Sequence, residues 1–219
     1  MKNRFFFALI ILILFSTYIS KDNLLLKLNF EVKEIIVENN YIMREDEIKN
    51  ELSFLYNSNL LFLKNKDIIK NLKDKSFIES FEIRRIFPNK VKIKIYEKKP
   101  VAILQNKMKK YYFTNKGGVV DYQDLNQFQN LPIVFGDSKN FKKFFTSLKK
   151  INFPINSIKM VYYFESRRWD LITKQNKTIK LPIKNYNKSL INFLSIKDKD
   201  NFAKYKIFDY RINNQLILK

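Results

Sequence analysis

The chain has 219 residues, with 42 Lys+Arg against 21 Asp+Glu and a formal net charge of +21. It has no cysteine and no histidine, which excludes a disulfide framework, a thiolate or imidazole metal site and any Ser-His or Cys-His mechanism. The charge would attract any polyanion, but the lysines are spread along the chain among abundant Asn, Ile and Phe and scarce Ala and Gly. That composition points to AT-rich coding rather than to a dedicated nucleic-acid footprint.

The amino terminus, MKNRFFFALIILILFSTYISK, places Lys2 and Arg4 before an apolar run from Phe5 to Ile19. At ~1.5 Å per residue this run reaches roughly 22 Å, short of the ~30 Å hydrocarbon core. A cleaved signal peptide shares the charged start and apolar core, but Tyr18 and Ile19 stand where a cleavage site needs small residues. The reading adopted is a retained anchor at 5–20, helped by local bilayer thinning and by snorkelling of Lys2, Arg4 and Lys21. Residues 1–4 then form a cytoplasmic tail, and the rest lies beyond the membrane by the positive-inside rule, a signal slightly blunted by Lys21 and Lys27.

FEVKEIIVENN reads as a strand with Phe30, Val32, Ile35 and Val37 as its apolar residues, ended by Asn39-Asn40. REDEIKNELSFL reads as a helix, with Ile48, Leu52 and Leu55 at helical spacing and Glu45, Asp46 and Glu47 at the positive end of its dipole. A second helix, NKDIIKNLKDK, has Asn65 as its cap and Ile68, Ile69 and Leu72 as its apolar face. FIESFEIRRIF alternates imperfectly, FPNK makes a turn with Pro88 and Asn89 at its centre, and KVKIKIYE alternates cleanly. In that last strand Val91, Ile93 and Ile95 face a core, while Lys92, Lys94 and Tyr96 face water. Its lysines also guard against edge-to-edge pairing. The order is β-α-α-β-β, with two helices over one face of a small sheet.

That order directly after an anchor resembles a POTRA domain. RRIFPNKVKIKIYEKKPVA resembles the signature of the FtsQ/DivIB family of bacterial cell-division proteins: an Arg, a Pro turn, an alternating strand and a Glu-basic-x-Pro-Val-Ala ending. Further family elements follow in order. They are YYFTNKGGVVDY, whose Gly117 and Gly118 suit a positive-φ turn, then LPIVFGD, RRWDLIT with NKTIKLP, and KIFDYRI. The expected fold is α+β: a single transmembrane helix, a POTRA domain at 28–98, and a β-rich domain at 99–219 with one curved, mostly antiparallel sheet and flanking helices.

No catalytic constellation stands out. Asp198 and Asp200 lie in a lysine-rich stretch without an acid or base partner, and NKGGVVD is not a phosphate loop. The chain is therefore read as non-enzymatic, with no cofactor and no metal. KYKIFDYRINNQLILK reads as a strand from Lys206 to Ile212, a turn at Asn213-Asn214 and a terminal strand from Gln215 to Leu218. A terminal strand is often an edge, open to an incoming strand. The resemblance implies that this region binds the periplasmic part of FtsB, with FtsL in the same complex and other divisome proteins as further partners. By the resemblance Arg211, and Arg167 or Arg168, match the family's arginines; together with the terminal strand, the candidate partner-binding residues are Arg167, Arg168, Asp209, Arg211, Ile212, Leu216 and Leu218. The alternatives stay open at this stage. Arg167 and Arg168 also suit the solvated end of a strand, Arg211 also suits an internal pair with Asp209, and Leu216 and Leu218 also suit the core. Trp169 reads as a core residue.

The function implied is a scaffold in septum formation, in the inner membrane as a single-pass type II protein with its bulk in the periplasm and concentrated at the division septum. The rivals are a membrane-anchored nucleic-acid-binding protein and another POTRA-containing envelope assembly factor. No nucleic-acid partner is expected.

Overall fold

The computed structural model describes residues 2–17, 30–107, 109–212 and 214–219. The end of the expected anchor at 18–20, Lys21, Lys27 and Asn213 of the expected turn lie outside the described residues. The chain divides into two compact units, Met1–Lys73 with Ser80–Tyr96, and Asp74–Glu79 with Glu97–Lys219.

Helix α1 is Lys2–Thr17, 16 residues long. Among the described residues no helix is long and apolar enough to cross a membrane. The large apolar side chains of α1 from Phe5 to Phe15 are all exposed.

The β-α-α-β-β order stands: β1 (Glu34–Glu38), α2 (Glu45–Glu51), α3 (Asn65–Lys73), β2 (Ile78–Ile86) and β3 (Lys90–Glu97). The sheet order is β1-β3-β2, with β1 parallel to β3. Strand β3 is thus central rather than an edge, so its lysines do not guard one. Their partners explain them instead. On the wet face Lys90 pairs with Glu34 at 2.6 Å and Lys92 with Glu38 at 2.8 Å, ladders across β1. Val91, Ile93 and Ile95 are fully buried on the other face beneath Ile48, Leu52, Leu55, Ile68 and Leu72. Ile69 does not join them. Ile68 and Leu72, four apart, define the buried stripe of α3, and the next position turns out of it to 43 % exposure. The expected first helix is shorter, with Ser53–Leu55 closing as a 3-10 turn. Asn65 is the first helical residue of α3 rather than its cap. The turn before β3 differs too, because the Phe87–Pro88 peptide is cis.

The second unit is built on one nine-stranded sheet. Its strands are β4 (Pro100–Asn106), β5 (Lys109–Thr114), β6 (Val119–Asp121), β7 (Ile133–Phe135), β8 (Ile158–Tyr163), β9 (Trp169–Thr173), β10 (Thr178–Lys180), β11 (Ile207–Asp209) and β12 (Ile217–Leu218). They run in the order β12-β11-β10-β9-β8-β7-β4-β5-β6. Hairpins give the antiparallel pairs. Parallel pairs arise at β4–β7, at β7–β8 across α4 (Ser138–Lys150), and at β10–β11 across α5 (Tyr186–Ile196) and the short α6 (Asp200–Ala203). Asp137 caps α4, its Oδ1 accepting from the Asn140 N–H at 2.9 Å. Phe141, Phe144, Phe145 and Leu148 then recur on one face and pack on the sheet. Trp169 is a core residue, as expected, stacked on Phe144 with ring centroids 4.6 Å apart. Gly117 takes φ +82 in the turn between β5 and β6, but Gly118 has no positive φ and serves differently, its N–H donating to Thr114 Oγ1 at 3.0 Å.

Candidate functional site

The strand expected from Lys206 to Ile212 is regular only over Ile207–Asp209. Beyond it the Tyr210 N–H still donates to Lys180 O at 2.8 Å, and the Tyr210 hydroxyl donates to Asn192 of α5. The Tyr210 side chain thus packs on α5 while its backbone stays bonded to β10. The chain returns as β12, the last strand of the sheet.

Strand β12 pairs with β11 in the register Phe208↔Leu218 and Asp209↔Ile217. Ile207 and Lys219 exchange both of their backbone hydrogen bonds, at 2.8 and 3.1 Å. Antiparallel pairs alternate, so Leu218 sits at a non-hydrogen-bonded pair and its N–H and C=O point away from β11, towards the open edge. Leu216, two residues earlier, lies outside the paired residues of β12. The side chains of Leu216 and Leu218 pack against the core with Phe208. It is therefore the Leu218 backbone that faces the open edge.

The face opposite the helices carries the charges. The registers align a row from Asp170 on β9 through Lys180 on β10 to Asp209 on β11 and Ile217 on β12. Each aspartate holds an arginine two residues away, the same-face spacing of an extended chain. Arg168 Nε donates to Asp170 Oδ1 at 3.1 Å, and its guanidinium lies 4.5 Å from the centre of the Phe164 ring. Arg211 Nε donates to Asp209 Oδ1 and Oδ2 at 2.9 Å, and its Nη2 donates to Oδ2 at 2.6 Å. The Arg211 backbone N–H adds a bond to Oδ1 at 3.1 Å. Hydrogen bonds from the Arg211 side chain, against the opposing effect of burial, hold the Asp209 carboxyl below the usual aspartate range, with Lys180 adding attraction. The same pair raises the Arg211 pKa. Burial raises that of the Tyr210 hydroxyl, which stays protonated and able to donate.

The row brings Arg168 and Arg211 onto one face, two strand spacings apart across β10. Arg167 is separate from it, exposed in the turn before β9 at φ 62. Ile212 and Leu216 line a groove of about 450 Å³ with Tyr210, Asn192, Ser189 and Lys188. Ile212 is 52 % exposed there. Asp170, Lys180 and the α5 wall were not singled out in the sequence. The signal for Asp170 was available, since Arg168-Trp-Asp170 has the same i, i+2 spacing as Asp209-Tyr-Arg211. Among the described residues no group of His, Cys, Asp and Glu side chains is arranged to hold a metal.

The model of the POTRA domain, FtsQ-type, matches residues 30–98, and that of cell division protein FtsQ/DivIB, C-terminal, matches residues 102–211. The chain is 30 % identical over 197 residues to a cell division protein FtsQ of Rickettsia prowazekii, covering 88 % of this chain and 73 % of that protein. It is 29 % identical over 198 residues to the protein of that name in Rickettsia typhi, covering 88 % and 74 %. A solved structure of the major extracytoplasmic domain of the cell division protein DivIB from Geobacillus stearothermophilus is similar at TM-score 0.33 and 12 % identity, covering 47 % of this chain and 92 % of that one.

Proposed function

The chain belongs to the FtsQ/DivIB family of bacterial cell-division proteins, and from that premise we propose that it is a non-catalytic scaffold that captures a strand of FtsB, with FtsL, on the open edge of β12. Its role in cell division follows from the family; the partner and the edge are the reading advanced here. The observation that carries it is the outward backbone of Leu218 on the terminal strand, beside a face on which Arg211 is already oriented.

An incoming strand meeting the N–H and C=O of Leu218, and those of Leu216 by extending the strand to it, would form up to four hydrogen bonds. At about 1 kcal/mol net each, this gives roughly 4 kcal/mol, near millimolar affinity. Strand addition alone is too weak to hold a complex. Side-chain anchors have to supply the rest, and the groove beside Ile212 and the arginines suit apolar and acidic ones. Arg168 and Arg211 are the proposed anchors for acidic side chains and Ile212 the apolar contact, while Arg167 at the rim steers approach.

In this reading α1 with residues up to 20 anchors the chain in the inner membrane, because a helix with this much exposed apolar surface needs lipid around it. Residues 28–98 form the POTRA domain and 99–219 the partner-binding domain, both in the periplasm at the septum. The test is capture of the periplasmic segment of FtsB by the full chain. Arg211→Glu and Leu218→Pro, which removes an outward donor, are each expected to weaken it. Undiminished capture by both variants refutes the edge assignment.

A further inference from the structure

The first unit carries a second unexplained surface. Phe62 is 77 % exposed and Phe87 is 55 % exposed, and Leu61, Phe54 and Ile86 are exposed as well. These residues are distant in sequence but converge on one end of the three-stranded sheet. The Leu60 N–H donates to Phe30 O at 2.7 Å, the Phe30 and Phe87 rings meet edge to face at 5.9 Å, and Arg85 Nη2 donates to Leu63 O at 2.6 Å. Phe54 and Phe62 share the walls of one open groove. Neighbouring basic residues Lys33, Lys64 and Arg85 are also exposed, with Glu31 and Asp67 among them.

Phe30 is also the first described residue after α1. Twelve residues, 18–29, separate them. Even fully extended at ~3.5 Å per residue, they hold Phe30 within about 45 Å of the end of α1. The opposite end of the sheet, where β1 ends and α2 begins, carries Glu45, Asp46 and Glu47, with Arg44 paired to Asp46 and Lys49 to Glu45, and Tyr41 exposed beside them. The apolar end is therefore the tethered end, and a short tether makes even a weak surface contact frequent.

We propose that this end of the domain docks on the lipid surface beside its own anchor, with Phe62, Leu61 and Phe87 entering the headgroup region and the basic rim facing lipid phosphates. The proposal rests on the anchoring of α1 argued above. Aromatic side chains suit that depth, and anionic lipid adds attraction for the rim. Docking would fix the height of the domain above the bilayer.

The absence of cysteine allows single-site labelling. The full chain carrying Leu61→Cys, or Glu47→Cys at the far end, is labelled with an environment-sensitive fluorophore. It is then placed in vesicles of phosphatidylethanolamine and phosphatidylglycerol containing nitroxide lipid. The label at 61 is expected to shift to the blue and to be quenched roughly threefold more than the label at 47, and Phe62→Glu with Phe87→Glu is expected to abolish the difference. Equal quenching at both positions in a chain that floats with the vesicles overturns docking and leaves the anchor intact. A chain that does not float overturns the anchor and docking together. A blue shift that survives removal of lipid assigns the patch to α1, and one lost on diluting protein at constant lipid assigns it to a second copy. Either result overturns the proposal.

Discussion

Asp209→Asn separates two explanations of the basic face that predict opposite signs. If Arg168, Lys180 and Arg211 act only as charge, removing the Asp209 carboxylate makes the face one unit more positive, and an acidic partner segment should bind more tightly, most visibly at low salt. On the proposed reading Asp209 has a different task. Its two oxygens take Nε and Nη2 of Arg211 and its backbone N–H, which fixes the guanidinium, and the proposal assigns Nη1 to a partner carboxylate. The Arg211 side chain is 46 % exposed, so without that clamp it samples many rotamers. Ordering such a side chain at the moment of binding weakens affinity by roughly three- to tenfold. The expected result at near-physiological salt is therefore weaker capture despite the added positive charge, with Arg211→Ala in the Asp209→Asn background costing little more. The assay is biolayer interferometry of the full chain in detergent against the FtsB segment across a salt series. Tighter binding by Asp209→Asn at every salt concentration refutes the positioning role.

Three further outcomes follow from the packing. A Cβ on Gly136 would lie 2.9 Å from Tyr163 Cβ, the root of that side chain, which cannot swing aside. Gly136→Ala should cost about 1–3 kcal/mol in urea unfolding, and an unchanged midpoint would contradict the contact. Phe144→Ala should cost about 3–5 kcal/mol and expose Trp169, whose emission, the only tryptophan signal in the chain, should shift to the red. The third concerns acid. Asp209 is held low by the hydrogen bonds of Arg211. For Asp137 burial pushes up, but the Asn140 hydrogen bonds together pull it lower. A carboxyl whose folded pKa is depressed binds its proton more readily when unfolded. The stabilisation is therefore complete above the ordinary aspartate range near pH 4 and is lost as pH falls through the folded values. Asp209→Asn with Asp137→Asn should flatten that acid limb, and an unaltered limb would show that neither group is linked to folding.

What could be read from the sequence was what local chemistry decides. Val91, Ile93 and Ile95 alternate and are buried, Gly117 supplies its turn, and Ile48, Leu52 and Leu55 find the core at helical spacing. What escaped depends on partners far along the chain. The β1–β3 pairing joins residues 56 positions apart, and it turned an expected edge strand into a central one with its lysines paired to glutamates. The Tyr210 hydroxyl is a second case: it bonds Asn192 of α5, a contact no strand pattern contains.

The candidate site has both characters, and this bears on how it works. The i, i+2 spacing of Arg168 with Asp170 and of Asp209 with Arg211 is local, so each arginine is oriented by its own strand. Their alignment is not local. It requires β10 to lie between β9 and β11, antiparallel to one and parallel to the other, and the crossover through α5 produces that order. Lys180 therefore stands between two carboxylates, and the cations that remain available to a partner lie at the ends of the row rather than in its middle. Attraction set this way favours a partner that crosses several strands over one that touches β12 alone. Roughly 4 kcal/mol from the edge hydrogen bonds needs such additional contacts to form a lasting complex.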